Sequence, residues 1–234
     1  MEIHHKGDRV TMVYVYLTDI RHLPDPENTP QVCDGLPEDR IRKTLRYRNA
    51  DDRRRSLAAG LLLRHVLHVH GAEDACIQYT ANEKPECESL CFNLSHSGDL
   101  VACAVSSRAV GCDVERIKKA AMHVAERYFC PSEITLLQQC TGERQDDTFF
   151  RLWTAKESYM KMTGEGMSLS LNRFAVDYSD RIRIFRDGTQ QTCSLHEYPL
   201  QGYKLTVCAE EHEFADTVTQ VSFHDRLQNA RPTP

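Results

Sequence analysis

Long apolar runs are missing from the sequence. The longest candidate, Leu61-Leu62-Leu63, is followed at once by Arg64, far short of the roughly 18 apolar residues of a membrane span. The segment from Met1 to Lys6 also lacks the apolar core of a secretory signal. We therefore expect a soluble, unexported protein that works in the cytoplasm and does not bind a membrane.

Two spacings typical of metal or catalytic sites are also missing. No Cys-x-x-Cys pair occurs among the 10 cysteines, which are spread over 234 residues, so neither a zinc site nor a disulfide framework is predicted. No Gly-x-Ser-x-Gly elbow occurs either. Ser95 and Ser97 adjoin His96 in sequence, whereas a catalytic serine and histidine are normally brought together by the fold. A serine hydrolase is therefore disfavoured.

The charge of the chain is low overall and uneven. A formal net charge of −5 argues against a nucleic-acid-binding protein. A basic cluster nevertheless gives the segment 40–55 a local charge of +6; its members are Arg40, Arg42, Lys43, Arg46, Arg48, Arg53, Arg54 and Arg55. Two interpretations stay open, a solvated helix face or a binding site for a compact, multiply charged ligand such as a phosphorylated nucleotide.

The composition, 41% hydrophobic and 27% charged, is that of a globular protein and excludes a disordered one. Apolar spacing and turn residues predict helices over 37–48, 51–70, 120–129, 131–139 and 147–162. Strands are predicted over 11–18, 77–80, 91–94, 100–105 and 110–115, with further strand-like runs beyond residue 169. This mixture indicates an α+β fold.

Two carboxylates stand two residues apart at the end of a predicted strand, in Gly111-Cys112-Asp113-Val114-Glu115. Alternation along a strand places both side chains on one face, where they repel each other unless a cation lies between them. Such oxygen ligands suit Mg²⁺, which completes its shell with water and substrate phosphates. A solvated sheet edge would explain the pair equally well.

A later helix carries Trp153, Glu157 and Lys161 at four-residue intervals, with Lys156 beside them. These residues form one stripe, which is either a functional face or an ordinary glutamate–lysine pair beside a core tryptophan. The segment Phe92-Asn93-Leu94-Ser95-His96-Ser97-Gly98 predicts a strand that ends in a polar turn able to donate hydrogen bonds to an anion.

The order and spacing of these motifs resemble the Sfp-type phosphopantetheinyl transferases. The resemblance runs through the segments 92–98, 111–115, 129–133 and 153–161, and it extends to the helix 55–64 and the turn 83–85. It implies an enzyme that moves the phosphopantetheine arm of coenzyme A to a serine of an apo acyl or peptidyl carrier protein and releases adenosine 3′,5′-bisphosphate. It also implies a pseudo-twofold monomer, with coenzyme A in the cleft between two α+β halves that each have a small, mainly antiparallel sheet.

The resemblance also implies a role for each site residue. Asp113, Glu115 and Glu157 would hold Mg²⁺, Glu157 would serve as the general base, directly or through water, and Lys161 would stabilise the leaving phosphate; with Asp113 these form the catalytic set. The residues implied to bind coenzyme A are Arg40, Lys43, Arg55, Ser56, Lys84, Ser95 and His96. Residues 1–108 would bind the nucleotide, residues 109–234 would carry the metal site, and the last third would be structural.

Two alternatives remain at this stage. A non-catalytic coenzyme A-binding protein would explain the basic cluster but not the three acids, and another Mg²⁺-dependent phosphate-ester enzyme would explain the acids but not the ordered set of motifs. The sequence leaves open whether the carrier belongs to fatty-acid, polyketide or nonribosomal-peptide synthesis. The resemblance favours secondary metabolism. The apolar residues of the segment 118–139 either help to receive the carrier or simply pack in the core of two short helices.

Overall fold

The computed structural model describes residues 12–73, 77–79 and 85–223, and it confirms the α+β class. The helices are α1 (Glu38–Leu45), α2 (Ala50–Val69), α3 (Met122–Tyr128), α4 (Pro131–Gln138) and α5 (Glu143–Thr163). The strands are β1 (Tyr14–Asp19), β2 (Gln78–Tyr79), β3 (Pro85–Glu86), β4 (Cys91–Ser97), β5 (Leu100–Ser106), β6 (Val110–Arg116), β7 (Phe174–Asp177), β8 (Arg183–Arg186), β9 (Thr189–Gln190), β10 (Ser194–Leu200), β11 (Tyr203–Ala209) and β12 (Thr219–Gln220). No helix in these ranges is long and apolar enough to cross a membrane.

The first sheet has the strand order β12-β1-β5-β4 and is covered by α2. Its strands alternate between two faces. Val101, Cys103 and Val105 of β5 pack against the α2 side, while Ala102 and Ala104 belong to a cluster on the other side. The sheet is antiparallel except where β12 joins β1 in parallel, so a segment near the end of the described chain completes the first sheet.

The second sheet has the order β10-β11-β6, all antiparallel, and is covered by α5. Cys112 and Val114 of β6 share a buried cluster with Val15 and Leu17 of β1, so the uncovered faces of the two sheets pack against each other. The layers therefore run helix, sheet, sheet, helix. The division into halves at residues 108 and 109 stays a prediction, and it falls in the turn between β5 and β6.

The start of α2 differs from the sequence prediction. The predicted helix 51–70 begins one residue later than the observed one, and the side chain of Asn49 caps the helix by accepting the hydrogen bond of the Asp51 amide. Asparagine and aspartate are equally good caps, so local preference alone could not choose between them. Asp51 and Asp52 lie in the first turn, where their negative charge is favourable.

Strands β4 and β6 lie side by side and are joined by side chains. The Asn93 side-chain oxygen accepts from the Cys112 amide at 3.0 Å. The Ser95 hydroxyl accepts from the Val114 amide, and the Ser97 hydroxyl from the Arg116 amide, both at 3.2 Å. Alternate side chains of one strand thus bind alternate amides of the other, and we call this junction the seam. The polar pattern of β4 is thereby explained.

Candidate active site

Strand β6 presents Asp113 and Glu115 towards α5. The neighbouring even-numbered residues Cys112 and Val114 point into the cluster between the sheets, so the odd-numbered residues face the helix. Asp113 is buried and Glu115 is half-buried. The sequence expectation that both acids share one strand face therefore agrees with the geometry of β6.

Gly111 allows β6 to approach α5 closely. A Cβ atom at this position would lie 2.1 Å from the carbonyl oxygen of Ser158 and 2.4 Å from the amide nitrogen of Met162. Real Cβ atoms essentially never come so near to backbone, and the helix backbone cannot move aside as a flexible side chain can. The glycine therefore sets the distance between the acids of β6 and the polar stripe of α5.

Lys161 forms hydrogen bonds at the contact between β6 and α5. Its Nζ atom lies 2.7 Å from Oδ1 of Asp113 and also donates to the carbonyl oxygen of Cys112 and to the Ser95 hydroxyl. Burial would lower the pKa of Lys161, but the charge and hydrogen bond of Asp113, together with the charges of Cys112 and Glu157, outweigh this, and the pKa is raised. Lys161 therefore stays a cation at neutral pH. The sequence alone allowed a surface ion pair between Glu157 and Lys161. In the structure, Lys161 instead pairs with a carboxylate of β6.

Glu157 lies one helical turn before Lys161 and is half-buried. Burial raises the pKa of its carboxyl group, and the negative charge of Asp113 raises it further. The pKa of Glu115 is raised for the same two reasons, although the hydrogen bond from Ser97 opposes the rise. The three acids thus interact electrostatically across the contact between β6 and α5.

The donors present fit a divalent cation. Oδ2 of Asp113 is buried and has no hydrogen-bond partner, while Oδ1 accepts from both Ser95 and Lys161. A buried carboxylate oxygen without a partner is costly, and a cation would satisfy it. Within the described ranges, no three His, Cys, Asp or Glu side chains form a ready-made metal cage. Mg²⁺ does not need one, since one or two carboxylates suffice when phosphates and water complete its shell.

His96 and Arg55 lie beside this contact. Loss of hydration lowers the pKa of His96, and the positive charges of Arg55 and Lys161 lower it further. The Arg55 guanidinium donates to the carbonyl oxygen of Gly98 at 2.7 Å and to Asp52 at 2.5 Å. A neutral imidazole near two cations is well placed to meet an anion.

Arg40 and Ser56, two of the remaining residues predicted to bind coenzyme A, lie where α1 packs against α2. The Arg40 guanidinium donates to the carbonyl oxygen of Ser56 at 2.6 Å, and the buried Ser56 hydroxyl bonds to Thr44 at 2.9 Å. Lys43 is half-exposed on α1. Lys84 lies outside the described residues. The structure therefore places Ser56 in the packing of the two helices, and the ligand contacts of this set stay predictions.

The basic cluster of the segment 40–55 is not a single surface. Arg53 is buried and binds both oxygens of Asp25, at 2.7 and 2.5 Å, and it also donates to two backbone carbonyls. Arg54 pairs with Asp51 on the helix surface. Arg42, Arg46 and Arg48 are exposed. Some members are thus solvated, as the first interpretation expects, and Arg53 is structural, while the binding-site interpretation stays a prediction.

The partner of Lys156 was not predicted from the sequence. This lysine is completely buried, where its Nζ atom lies 2.8 Å from Oε1 of Glu133 and donates to the carbonyl oxygen of Phe174. Glu133 also accepts from the amides of Cys130 and Val176. The pair fixes α5 to the start of α4 and to β7. Glu133 at the third position of α4 is a capping signal, but the pattern gives no sign of a buried lysine.

Comparisons with known proteins agree on one group. A family model described as the 4′-phosphopantetheinyl transferase superfamily matches residues 109–208. The 4′-phosphopantetheinyl transferase Sfp of Bacillus subtilis (strain 168) is 31% identical over 88% of this chain and 96% of its own length. The 4′-phosphopantetheinyl transferase psf-1 of Bacillus pumilus is 35% identical over 78% of this chain and 82% of its own length.

A solved structure of a holo-(acyl-carrier-protein) synthase from Bacillus anthracis is 18% identical, with a TM-score of 0.38. The match covers 43% of this chain and 93% of the chain in the solved structure.

Proposed function

The chain belongs to the 4′-phosphopantetheinyl transferase superfamily, and we propose that it moves the phosphopantetheine arm of coenzyme A to a serine of an apo carrier protein, with Mg²⁺ as cofactor. The observation that carries the proposal is the convergence of Asp113, Glu115, Glu157 and Lys161 where β6 meets α5. Three acids and a lysine at one contact suit the transfer of a phosphoryl group out of a diphosphate.

Mg²⁺ would be held by Asp113 and Glu115 of β6 and by Glu157 of α5. The partnerless Oδ2 of Asp113 and the mutual repulsion of the three carboxylates support this assignment. When bound, the cation neutralises the charge of the diphosphate and of the acids around it. A non-catalytic coenzyme A-binding protein would have no use for three acids in this arrangement.

The proton of the carrier serine would pass to Glu157. Glu157 lies one helical turn before Lys161 on α5, and its carboxylate would take up this proton directly or through a water molecule. The serine oxygen forms a bond to the phosphorus that carries the pantetheine arm, and the bond from that phosphorus to adenosine 3′,5′-bisphosphate breaks. Lys161, held as a cation by Asp113, would stabilise the oxygen that departs.

Arg40, Lys43, Arg55 and His96 would bind the phosphates of the nucleotide, including the 3′-phosphate. The neighbourhood of His96, Arg55 and Lys161 supports this part of the proposal. We further propose that the enzyme is a cytoplasmic monomer. The nine described cysteines are all free, which is typical of a reducing compartment.

Mass spectrometry of a purified apo carrier protein tests the proposal. Incubation with this enzyme, coenzyme A and Mg²⁺ should add the mass of one phosphopantetheine, and adenosine 3′,5′-bisphosphate should appear in equal amount. Omission of the metal should abolish both products. Hydrolysis of coenzyme A without a change in carrier mass would instead identify a phosphohydrolase, and no turnover with a broad panel of carriers would overturn the proposal.

A further inference from the structure

Two serine hydroxyls of β4 contact the acids of β6. Ser95 donates to Oδ1 of Asp113 at 2.9 Å, and Ser97 donates to Oε2 of Glu115 at 2.6 Å. Both serines also belong to the seam, where they accept from backbone amides of β6. The same two hydroxyls therefore connect the junction of the sheets with the carboxylates of the site.

The seam fixes the direction in which each hydroxyl donates. A hydroxyl has a single hydrogen and two lone pairs. The lone pairs of Ser95 accept from the Val114 amide and from Lys161, so its hydrogen has only the carboxylate of Asp113 to bind. Ser97 accepts from the Arg116 amide in the same way and turns its hydrogen to Glu115.

This arrangement uses one oxygen of each carboxylate. Oδ1 of Asp113 receives Ser95 and Lys161, and the oxygen left over, Oδ2, is the buried atom without a hydrogen-bond partner. Oε2 of Glu115 receives Ser97. A carboxylate held through one oxygen cannot rotate freely, so its other oxygen keeps a fixed direction.

We infer that Ser95 and Ser97 are positioning residues, which orient Asp113 and Glu115 so that each offers one oxygen to a divalent cation; this inference rests on the proposed function. It gives Ser95 a different role from the expected contact with coenzyme A, because its hydroxyl already has three partners. Groups that orient metal ligands typically change metal affinity about 10–100-fold when they are removed.

Mn²⁺ binding to the intact enzyme with coenzyme A tests the inference without measuring turnover. Mn²⁺ accepts the same oxygen ligands as Mg²⁺, and electron paramagnetic resonance reports its free concentration. Ser97→Ala should weaken binding about tenfold. Ser97→Thr keeps the hydroxyl and should bind within about threefold of wild type, which a simple loss of packing would not predict. Ser95→Ala should weaken binding at least as much as Ser97→Ala.

Asn93→Ala is the matched control. Asn93 makes the same kind of seam bond to β6 but contacts neither acid, so its loss should lower the melting temperature and leave Mn²⁺ affinity unchanged. Wild-type affinity in both serine-to-alanine variants would overturn the positioning role while leaving the cation site in place. If the wild-type enzyme with coenzyme A binds no more Mn²⁺ than coenzyme A alone does, the proposed cation site and the positioning role are both overturned.

Discussion

Asp113 combines burial, a lysine partner on one oxygen and no partner on the other. A buried ion pair is weak support for stability, because removing charges from water costs about as much as their attraction returns. This free-energy cost is expected at a reaction site, where a fixed charge is needed before the substrate arrives. Asp113 is therefore expected to matter more for turnover than for folding.

The variants Asp113→Asn and Glu157→Gln should each lower the transfer rate at least about 100-fold, because each removes a charged group from the reacting centre. Initial rates of carrier modification measure the effect, and melting temperatures separate it from misfolding. Asp180→Asn serves as the control, since Asp180 is an exposed acid paired with Arg183 away from the site. Rates close to wild type in both site variants would contradict the mechanism.

His96 should take up a proton when the nucleotide binds. Its pKa lies below the ordinary value in the free enzyme, so the ring is neutral at pH 7. A phosphate group beside the ring favours the imidazolium and raises the pKa, so binding of adenosine 3′,5′-bisphosphate should weaken as pH rises. Calorimetry in two buffers of different ionisation enthalpy measures the proton uptake.

The variant His96→Gln supplies the comparison for this measurement. It should show less proton uptake than wild type and a flatter dependence of affinity on pH. The phosphate of the ligand titrates equally in both proteins, so the difference between them belongs to residue 96. Equal uptake in the two proteins would place the phosphate away from this histidine.

At the scale of elements, β6 and α5 are held at a distance that only glycine permits. Gly111→Ala should lower the free energy of unfolding by about 3 kcal/mol, since the added methyl group meets helix backbone that cannot yield. Denaturant unfolding followed by circular dichroism measures the change. Transfer activity should also fall, because any relief of the clash separates Asp113 from Lys161.

Gly188→Ala is the control for this prediction. Gly188 has a φ of +75° and no heavy atoms within 4 Å of the added Cβ, so alanine there suffers only backbone strain, roughly 1 kcal/mol. A loss at Gly111 no larger than the loss at Gly188 would mean that α5 can shift away from β6 at little cost.

Local sequence patterns predicted the helices and strands better than they predicted which of these elements lie side by side. The α+β class, the five helices and the shared face of Asp113 and Glu115 follow from spacing along the chain, which sequence shows directly. The partner of Lys161, the burial of Lys156 and the seam depend on which strands and helices lie side by side. No periodicity records that information, so these contacts were not predicted from the residues alone.

At the surface of the molecule, two apolar residues of the segment 118–139 are exposed where the carrier is expected to bind. Tyr128 at the end of α3 and Leu136 on α4 are each more than a third exposed, whereas Phe129 between them is buried. Exposed aromatic and aliphatic side chains of this kind commonly contribute to protein interfaces. A carrier contact by Tyr128 and Leu136 of the segment 118–139 stays a prediction, while Phe129 belongs to the core.

Tyr128→Ala and Leu136→Ala should each raise the KM for the apo carrier at least about fivefold, with the KM for coenzyme A unchanged, because they remove contact area outside the nucleotide site. Steady-state kinetics with one substrate varied at a time measures both constants. Val69→Ala, an equally exposed apolar residue at the end of α2, should change neither. An unchanged carrier KM in both variants would place the carrier on another surface.

The seam also divides the amides of β6 into two chemical classes. On one edge, the amides of Cys112, Val114 and Arg116 are shielded by side chains of β4, while the alternate amides face the backbone of β11. Deuterium from the solvent can therefore label one edge of a single strand independently of the other. The rate of deuterium uptake at these three amides therefore reports how often the two sheets separate, and its measurement needs no probe attached to the enzyme.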